Sequence, residues 1–197
     1  MDKRVFLQTV VSGAALSALA QAQAAPAATA GPTLLTISGR IAHANRGPVD
    51  SALDQLMHKQ ELVFAKARTF AFAELASLPA TEIHPTLEYD AKPHALRGPT
   101  LTRLLEMAGA PTANDTPLVL RASDGYRVEL TFAEVRQLNF IVATHIDGAP
   151  LPLGGLGPLW AVHDADRISA LAANPLSERF ARCPWGLYSI HLPDGAG

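Results

Sequence analysis

The sequence predicts a single α+β domain built from short strands and short helices. The chain has 197 residues, of which 48% are hydrophobic, and this is enough to bury one core. Fifteen prolines and fourteen glycines favour short elements joined by turns. The apolar pattern changes between the strand and helix periods without the regular alternation of a doubly wound sheet. These three observations define the fold class.

Runs of apolar and β-branched residues between turn residues predict the strands. Pro85 places one of them at a sheet edge or a bulge, and the turn Ser123-Asp124-Gly125 joins two others into a hairpin. Phe70 and Phe72 add a short alternating segment. The predicted strands cover residues 33–42, 81–89, 118–122, 126–130, 141–146, 159–163 and 186–192.

Apolar residues spaced three and four apart predict the helices. The clearest helix begins at Thr100, whose hydroxyl is a suitable cap, and it ends at Gly109. Asp50 or Ser51 is the expected cap of the first helix, and Asn174-Pro175 opens a helical turn near Glu178. The predicted helices cover residues 50–60, 73–77, 100–109 and 132–137.

The N-terminal residues have the pattern of an export signal. Lys3 and Arg4 precede an apolar stretch from Val5 to Ala20, and Ala22-Gln23-Ala24 has the small-x-small pattern of a cleavage site. The sequence therefore predicts a signal peptide at 1–24, a flexible leader at 25–32 and a domain at 33–193 in the periplasm. The start also resembles a twin-arginine signal with Lys3 in place of the first arginine, so the export route stays open. An uncleaved membrane anchor is the alternative, although the apolar run is short for a span.

Several functional classes lack their signature. A net charge of −2 without a basic run downstream of the start gives nucleic acid no electrostatic attraction. Cys183 is the single cysteine, which excludes an internal disulfide and a cysteine zinc cluster, and we interpret it as a buried free thiol. The scattered histidines predict no metal site, and His163–Asp166 is interpreted as a solvated turn. The glycines at 154–157 precede Pro158 and a strand rather than a helix, so they predict no dinucleotide site.

Three groups of segments, in order, resemble the oxidoreductase molybdopterin-binding domain, which has the sulfite-oxidase fold. Together they span residues 33–192. The matching segments are 75–89 with 98–109, then 122–126 with 132–134 and 141–151, and finally 157–162 with 183–190.

The resemblance implies a scaffold whose catalytic signature is missing in two places. The family's molybdenum-binding cysteine corresponds to Tyr89, and a phenol is a poor substitute for a soft thiolate. Trp160 occupies the place of a frequent family arginine. We therefore predict no catalytic residue and no molybdenum, but a pterin or a molybdopterin-like ligand.

The best match is a small exported subset of this fold that lacks the cysteine. Its members resemble pterin-binding sensors that act with membrane-bound signalling partners. The segment 44–48, followed by Phe64, Arg68, Phe70 and Phe72, is typical of this subset. The resemblance implies a pterin and the periplasmic domain of a signalling protein as partners.

A pterin is a flat bicycle that needs aromatic faces for stacking and a carboxylate for its amino-pyrimidine edge. Asp124 is the predicted carboxylate. Four aromatic side chains are predicted as stacking faces, namely Tyr89, Tyr126, Trp160 and Trp185. Three arginines are predicted to bind an anionic tail, namely Arg127, Arg179 and Arg182.

Each of these residues has a structural alternative, and each functional hypothesis has a competitor. Trp160 and Trp185 are also suited to a core, Asp124 to a turn, and Arg127 to a solvated strand. Beside the pterin sensor, a molybdopterin-dependent oxidoreductase with atypical metal ligation and a non-catalytic interaction domain remain open.

Overall fold

In a computed structural model, residues 31–194 form three β-sheets with short helices between the strands. The predicted signal peptide at 1–24 and most of the predicted leader lie outside these described residues. None of the helices in the range 31–194 combines the length and the apolar composition that a membrane span requires.

The strands and helices are numbered in chain order. The strands are β1 (Thr33–Gly39), β2 (Ala67–Ala71), β3 (Thr81–Ile83), β4 (Leu96–Gly98), β5 (Pro117–Ala122), β6 (Arg127–Thr131), β7 (Ile141–Ala143), β8 (His145–Ile146), β9 (Ala149–Pro150), β10 (Trp160–Val162) and β11 (Leu187–Leu192). The helices are α1 (Gln55–Lys59), α2 (Phe72–Ser77), α3 (Leu101–Met107), α4 (Phe132–Gln137) and α5 (Ser169–Ala172), with 3-10 turns at Ala165–Arg167 and Leu176–Glu178.

The largest sheet has five strands in the order β2-β1-β11-β5-β6. β1 pairs with β11 in parallel, and every other pairing in this sheet is antiparallel. The smaller sheets have the orders β3-β4-β8-β9 and β10-β7. One hydrophobic cluster joins the three sheets to α3 and α4, and it includes Leu35, Leu105 and Trp160.

Two helix ends confirm the local predictions. The Thr100 hydroxyl accepts a hydrogen bond from the backbone N–H of Arg103, and Gly109 ends the following turn at a φ of +67°. At α4, the Thr131 hydroxyl accepts from the backbone of Glu134, while the Glu134 carboxylate accepts from the backbone N–H of Thr131 at 2.7 Å. This reciprocal capping box fixes the start of α4.

The predicted strand at 81–89 is wrong beyond Ile83. Pro85 cannot donate to a ladder, and the chain turns instead, with the backbone N–H of Leu87 bonded to the Lys92 carbonyl at 2.9 Å. Tyr89 therefore lies in a loop. The chain returns as β4, a strand that the sequence pattern did not predict. A Cβ atom on Gly98 would lie 1.9 Å from the Val142 carbonyl oxygen, so only glycine fits at this close contact between β4 and β7.

Three other boundaries differ from the predictions. The first helix begins at Gln55, because the Asp50 carboxylate caps a separate turn by accepting from the backbone N–H groups of Ala52 and Leu53. The first strand ends at Gly39, where φ is +87°. The predicted strand at 141–146 divides into β7, which pairs with β10, and β8, which pairs with β4 and β9.

Candidate functional site

An open pocket of about 220 Å³ lies where three loops meet. The loops are the turn after β3, the tip of the β5–β6 hairpin and the segment that leads into β11. The lining residues are Glu88, Tyr89, Asp124, Tyr126, Ser177, Phe180, Ala181, Cys183 and Trp185. The pocket therefore contains four of the eight predicted ligand-binding residues.

The hairpin tip positions an acid and an aromatic ring. Gly125 supplies the positive φ of +96° that the turn needs. One Asp124 carboxylate oxygen, Oδ1, accepts from the backbone N–H of Tyr126 at 2.8 Å, and no bond to Oδ2 is seen within residues 31–194. The Tyr126 hydroxyl donates to the Ala181 carbonyl, which fixes the ring across the pocket. Asp124 thus keeps one oxygen for a ligand.

The backbone holds Trp185 from both sides. Ahead of it, the Pro184 carbonyl accepts from the backbone N–H of Ala161 at 3.2 Å. After it, Gly186 adopts a φ of +63°, and its carbonyl accepts from the backbone N–H of Ser123 at 3.0 Å. The indole remains 38% exposed, so a fixed backbone presents an accessible aromatic face.

Tyr89 is 57% exposed at the rim of the pocket. Partial burial raises the pKa of the Tyr89 phenol, and the neighbouring Glu88 carboxylate raises it further, while an interaction with Trp185 lowers it. Tyr89 is therefore a neutral phenol near pH 7, with a hydroxyl that donates and accepts hydrogen bonds.

Cys183 in the pocket floor and His163 behind it are two neutral groups. Cys183 is buried, which confirms the prediction of a buried free thiol, and its Sγ lies 3.3 Å from Nδ1 of His163. Burial raises the pKa of the thiol to about 12 and lowers the pKa of the imidazole to about 4. The interpretation of His163 as part of a solvated turn is wrong, because the ring is 1% exposed and packs edge-on against Phe140.

The structure corrects the role of Trp160. Its side chain is completely buried, its Nε1 donates to the Cys183 carbonyl at 2.8 Å, and its ring lies against Phe180. A ligand in the pocket cannot stack on a ring that other side chains cover. Trp160 is a core residue that supports the pocket wall.

The three predicted arginines do not line the pocket, and each is paired with a carboxylate. Arg127 pairs with Glu129 along β6. Two further pairs are Arg179 with Asp166 and Arg182 with Glu134, both at 2.9 Å. Their hydrogen bonds to protein groups explain why these arginines do not extend toward the pocket.

Sequence reasoning missed five lining residues, which are Glu88, Ser177, Phe180, Ala181 and Cys183. Cys183 was available as a signal, because only Pro184 separates it from Trp185. The others have no distinctive spacing, and only tertiary folding brings the segment 177–181 to the hairpin tip.

The pocket does not fit a molybdenum centre that is held by a protein thiolate. The Cys183 thiol is buried and neutral, and the Tyr89 phenol is neutral, so neither offers a soft anionic ligand. Within residues 31–194, no group of three or more His, Cys, Asp or Glu side chains is placed to hold a metal ion. The exposed aromatic faces and the available oxygen of Asp124 do fit a flat, hydrogen-bonding heterocycle.

Comparison with known proteins identifies the fold. The sequence matches no family model, and no curated protein is significantly similar to it. The structure is similar to the crystal structure of the sulfane dehydrogenase SoxCD from Paracoccus pantotrophus, with a TM-score of 0.53 and 13% sequence identity. The match covers 82% of this chain and 38% of that chain. At this identity the likeness concerns the fold alone, and it confirms the α+β fold of the sulfite-oxidase type that the sequence predicted.

Proposed function

We propose that this chain is a non-catalytic pterin-binding protein of the bacterial periplasm that acts as a ligand sensor. The observation that supports this function best is the pocket formed by Tyr89, Asp124, Tyr126 and Trp185. Three accessible aromatic rings provide stacking surfaces, and one oxygen of the Asp124 carboxylate accepts no hydrogen bond from the residues that the structure describes. This is the chemistry that a 2-amino-pyrimidine edge on a flat ring requires.

The dimensions favour a pterin ring over a complete molybdopterin. The pocket volume of about 220 Å³ is below the range of roughly 300–1,000 Å³ that holds drug-sized ligands. The ring would occupy the pocket while its side chain extends into solvent. With Arg127, Arg179 and Arg182 already paired, recognition would depend on the ring rather than on an anionic tail.

We propose a non-catalytic role because of the chemistry of the pocket residues. A redox centre of this fold family would need a thiolate, and the position of that thiolate corresponds to Tyr89. The remaining thiol, Cys183, is neutral and covered. We therefore assign the pocket to binding.

The location is proposed from the N-terminal pattern, and the partner from the resemblance to the exported subset of this fold. A cleaved signal peptide at 1–24 would deliver the domain to the periplasm, where a membrane signalling protein would sense its bound state. The loops that contain Tyr89 and Trp185 lie at the surface, so a partner that contacts them would distinguish bound from free protein. Cell fractionation and N-terminal sequencing of the mature chain test this location.

Protein purified from its own cell envelope tests the function directly. We expect pterin fluorescence in the purified protein and no stoichiometric molybdenum by metal analysis. Trp185→Ala should weaken pterin binding about tenfold, because a stacking surface is lost. Asp124→Asn should weaken it by a similar or larger factor, since a charged acceptor is lost.

The matched control is Asp115→Asn, which removes an exposed carboxylate away from the pocket. Its affinity should equal that of the wild type. Unchanged binding in both pocket variants would reject the site. Stoichiometric molybdenum would favour an oxidoreductase, and the lack of a thermal shift with any reduced pterin would favour an interaction domain.

A further inference from the structure

A second cavity lies on the five-stranded sheet, and it shares no lining residue with the pterin pocket. It measures about 190 Å³ and is lined by Glu61, Leu62, Val63, Arg121 and His191. The segment that follows α1, residues 61–63, forms one side of it. The Gln60 side chain anchors this segment by donating to the carbonyls of Ala122 and Ser123, both at 3.4 Å, and by accepting from the Tyr188 hydroxyl at 3.0 Å.

The sheet supplies polar groups that no protein group satisfies. Arg121 of β5 and Ser189 of β11 are directly paired across the two strands, so their side chains lie on the same face. Ser189 is completely buried. Its Oγ and the Nε of Arg121 are both buried without a hydrogen-bond partner among the described residues. Two such neighbours are uncommon, because a buried unpaired polar group costs free energy.

The charge of Arg121 is also uncompensated. Arg121 is in none of the ion pairs formed within 4.0 Å between residues 31 and 194. His191 lies two residues from Ser189 along β11, and its Nδ1 contacts the Ser38 hydroxyl at 3.0 Å. Burial and the nearby Arg121 lower the pKa of His191, so its imidazole is neutral near pH 7.

We propose that Arg121 and His191 bind a small oxyanion such as phosphate or sulfate in this cavity, with the buried Ser189 beside Arg121 on the same face of the sheet. The guanidinium offers N–H donors in a planar fork that matches a tetrahedral oxyanion. When Ser38 donates to Nδ1, the neutral His191 ring carries its proton on Nε2 and adds a second kind of donor. Glu61 at the rim weakens binding by repulsion, because its carboxylate has the same sign as the ligand.

Titration of the purified protein with inorganic phosphate or sulfate tests this site. The measurement is isothermal calorimetry at constant ionic strength, with chloride as the balancing anion. Arg121→Gln should weaken the anion affinity about tenfold or more. Arg103→Gln, which removes an exposed arginine on α3, is the matched control and should bind as the wild type does.

Two further variants sharpen the result. Glu61→Gln should strengthen binding several-fold, because a repelling charge is removed. Trp185→Ala should leave anion binding unchanged, which separates this site from the pterin pocket. The proposal is overturned if the wild type shows no saturable binding, or if Arg121→Gln binds as tightly as Arg103→Gln.

A second measurement protects the test against a poorly folded variant. In the wild-type protein, the Arg121 Nε–Hε and His191 ring resonances should move in a saturable way when phosphate is added, and chloride should not move them. Resonances that stay in place under phosphate would overturn the proposal without any substitution.

Discussion

At the scale of single residues, Cys183 and His163 form a buried polar contact that remains uncharged. Burial dominates both ionisations, since it raises the pKa of the thiol and lowers the pKa of the imidazole. A thiolate–imidazolium pair would place two charges where protein surrounds both groups. The contact therefore belongs to the support of the pocket wall, not to nucleophilic chemistry.

Replacement of His163 should flatten the acid dependence of stability. The native ring has a pKa of about 4, whereas the unfolded chain titrates near about 6.5. Between these values the unfolded chain binds more protons, so the free energy of unfolding falls as the pH is lowered from about 6.5 to about 4. Over this pH range the fall is about 3 kcal/mol, and His163→Asn should remove this pH dependence.

Urea unfolding of both proteins at several pH values measures the effect. His58→Asn changes an exposed histidine and should retain the slope of the wild type. If His163→Asn shows the same loss of stability as the wild type between these pH values, then the ring is protonated in the native state and burial does not lower its pKa.

The two tryptophans show why the sequence predicts only part of a site. Both were candidate stacking faces, because each has a large aromatic side chain. Trp160 lies on a strand that β7 and the segment before β11 cover, and it is fully buried. Trp185 lies on the outer side of the same contact and stays accessible. The local sequence does not determine which of the two tryptophan rings the rest of the fold covers.

At the scale of elements, local signals predict those elements that capping and turn residues define. Thr100 and Gly109 define α3, and Gly125 defines the hairpin, so the predicted and observed positions agree closely. The segment 81–89 has an alternating pattern, but its continuation depends on a neighbouring strand that Pro85 cannot join. The end of β3 depends on tertiary strand pairing. The alternating sequence pattern carries no information about that pairing.

The capping box of α4 gives a prediction at this scale. Thr131→Ala should lower the free energy of unfolding by about 1 kcal/mol, because it removes the acceptor for the backbone N–H of Glu134. Thermal or urea unfolding measures the change, with Thr112→Ala in an exposed loop as the control. Equal stability of the two variants would mean that the box does not stabilise α4.

Arg182 extends this cap to the segment that lines the pocket. Its guanidinium pairs with Glu134 at 2.9 Å and donates to the Glu129 carbonyl at 3.0 Å. Arg182 is the main reason that the pKa of Glu134 falls to about 2, and the backbone N–H of Thr131 contributes next. The start of α4 and the backbone next to Cys183 are thereby held together.

At the scale of the whole molecule, Cys183 reports on global unfolding. The thiol is buried with a pKa of about 12, so it should not react with a thiol reagent in the native protein. In denaturant we expect the Cys183 thiol to become fully labelled, with the same denaturant midpoint as the loss of secondary structure. Rapid labelling without denaturant would show that the pocket floor opens locally. Since the chain has one cysteine, the signal has one source.

The parallel pairing of β1 with β11 at the centre of the large sheet affects how the chain folds. These neighbours are far apart in sequence, as Thr36 pairs with Ser189 and Gly39 with Leu192. Such long-range contacts give a high contact order, and the chain loses much loop entropy before the sheet forms. A nascent chain that lacks β11 has an open edge on β1 and another on β5. The native sheet is therefore expected to form late, after synthesis has passed residue 192, and the half-built sheet would be the species most exposed to misassociation.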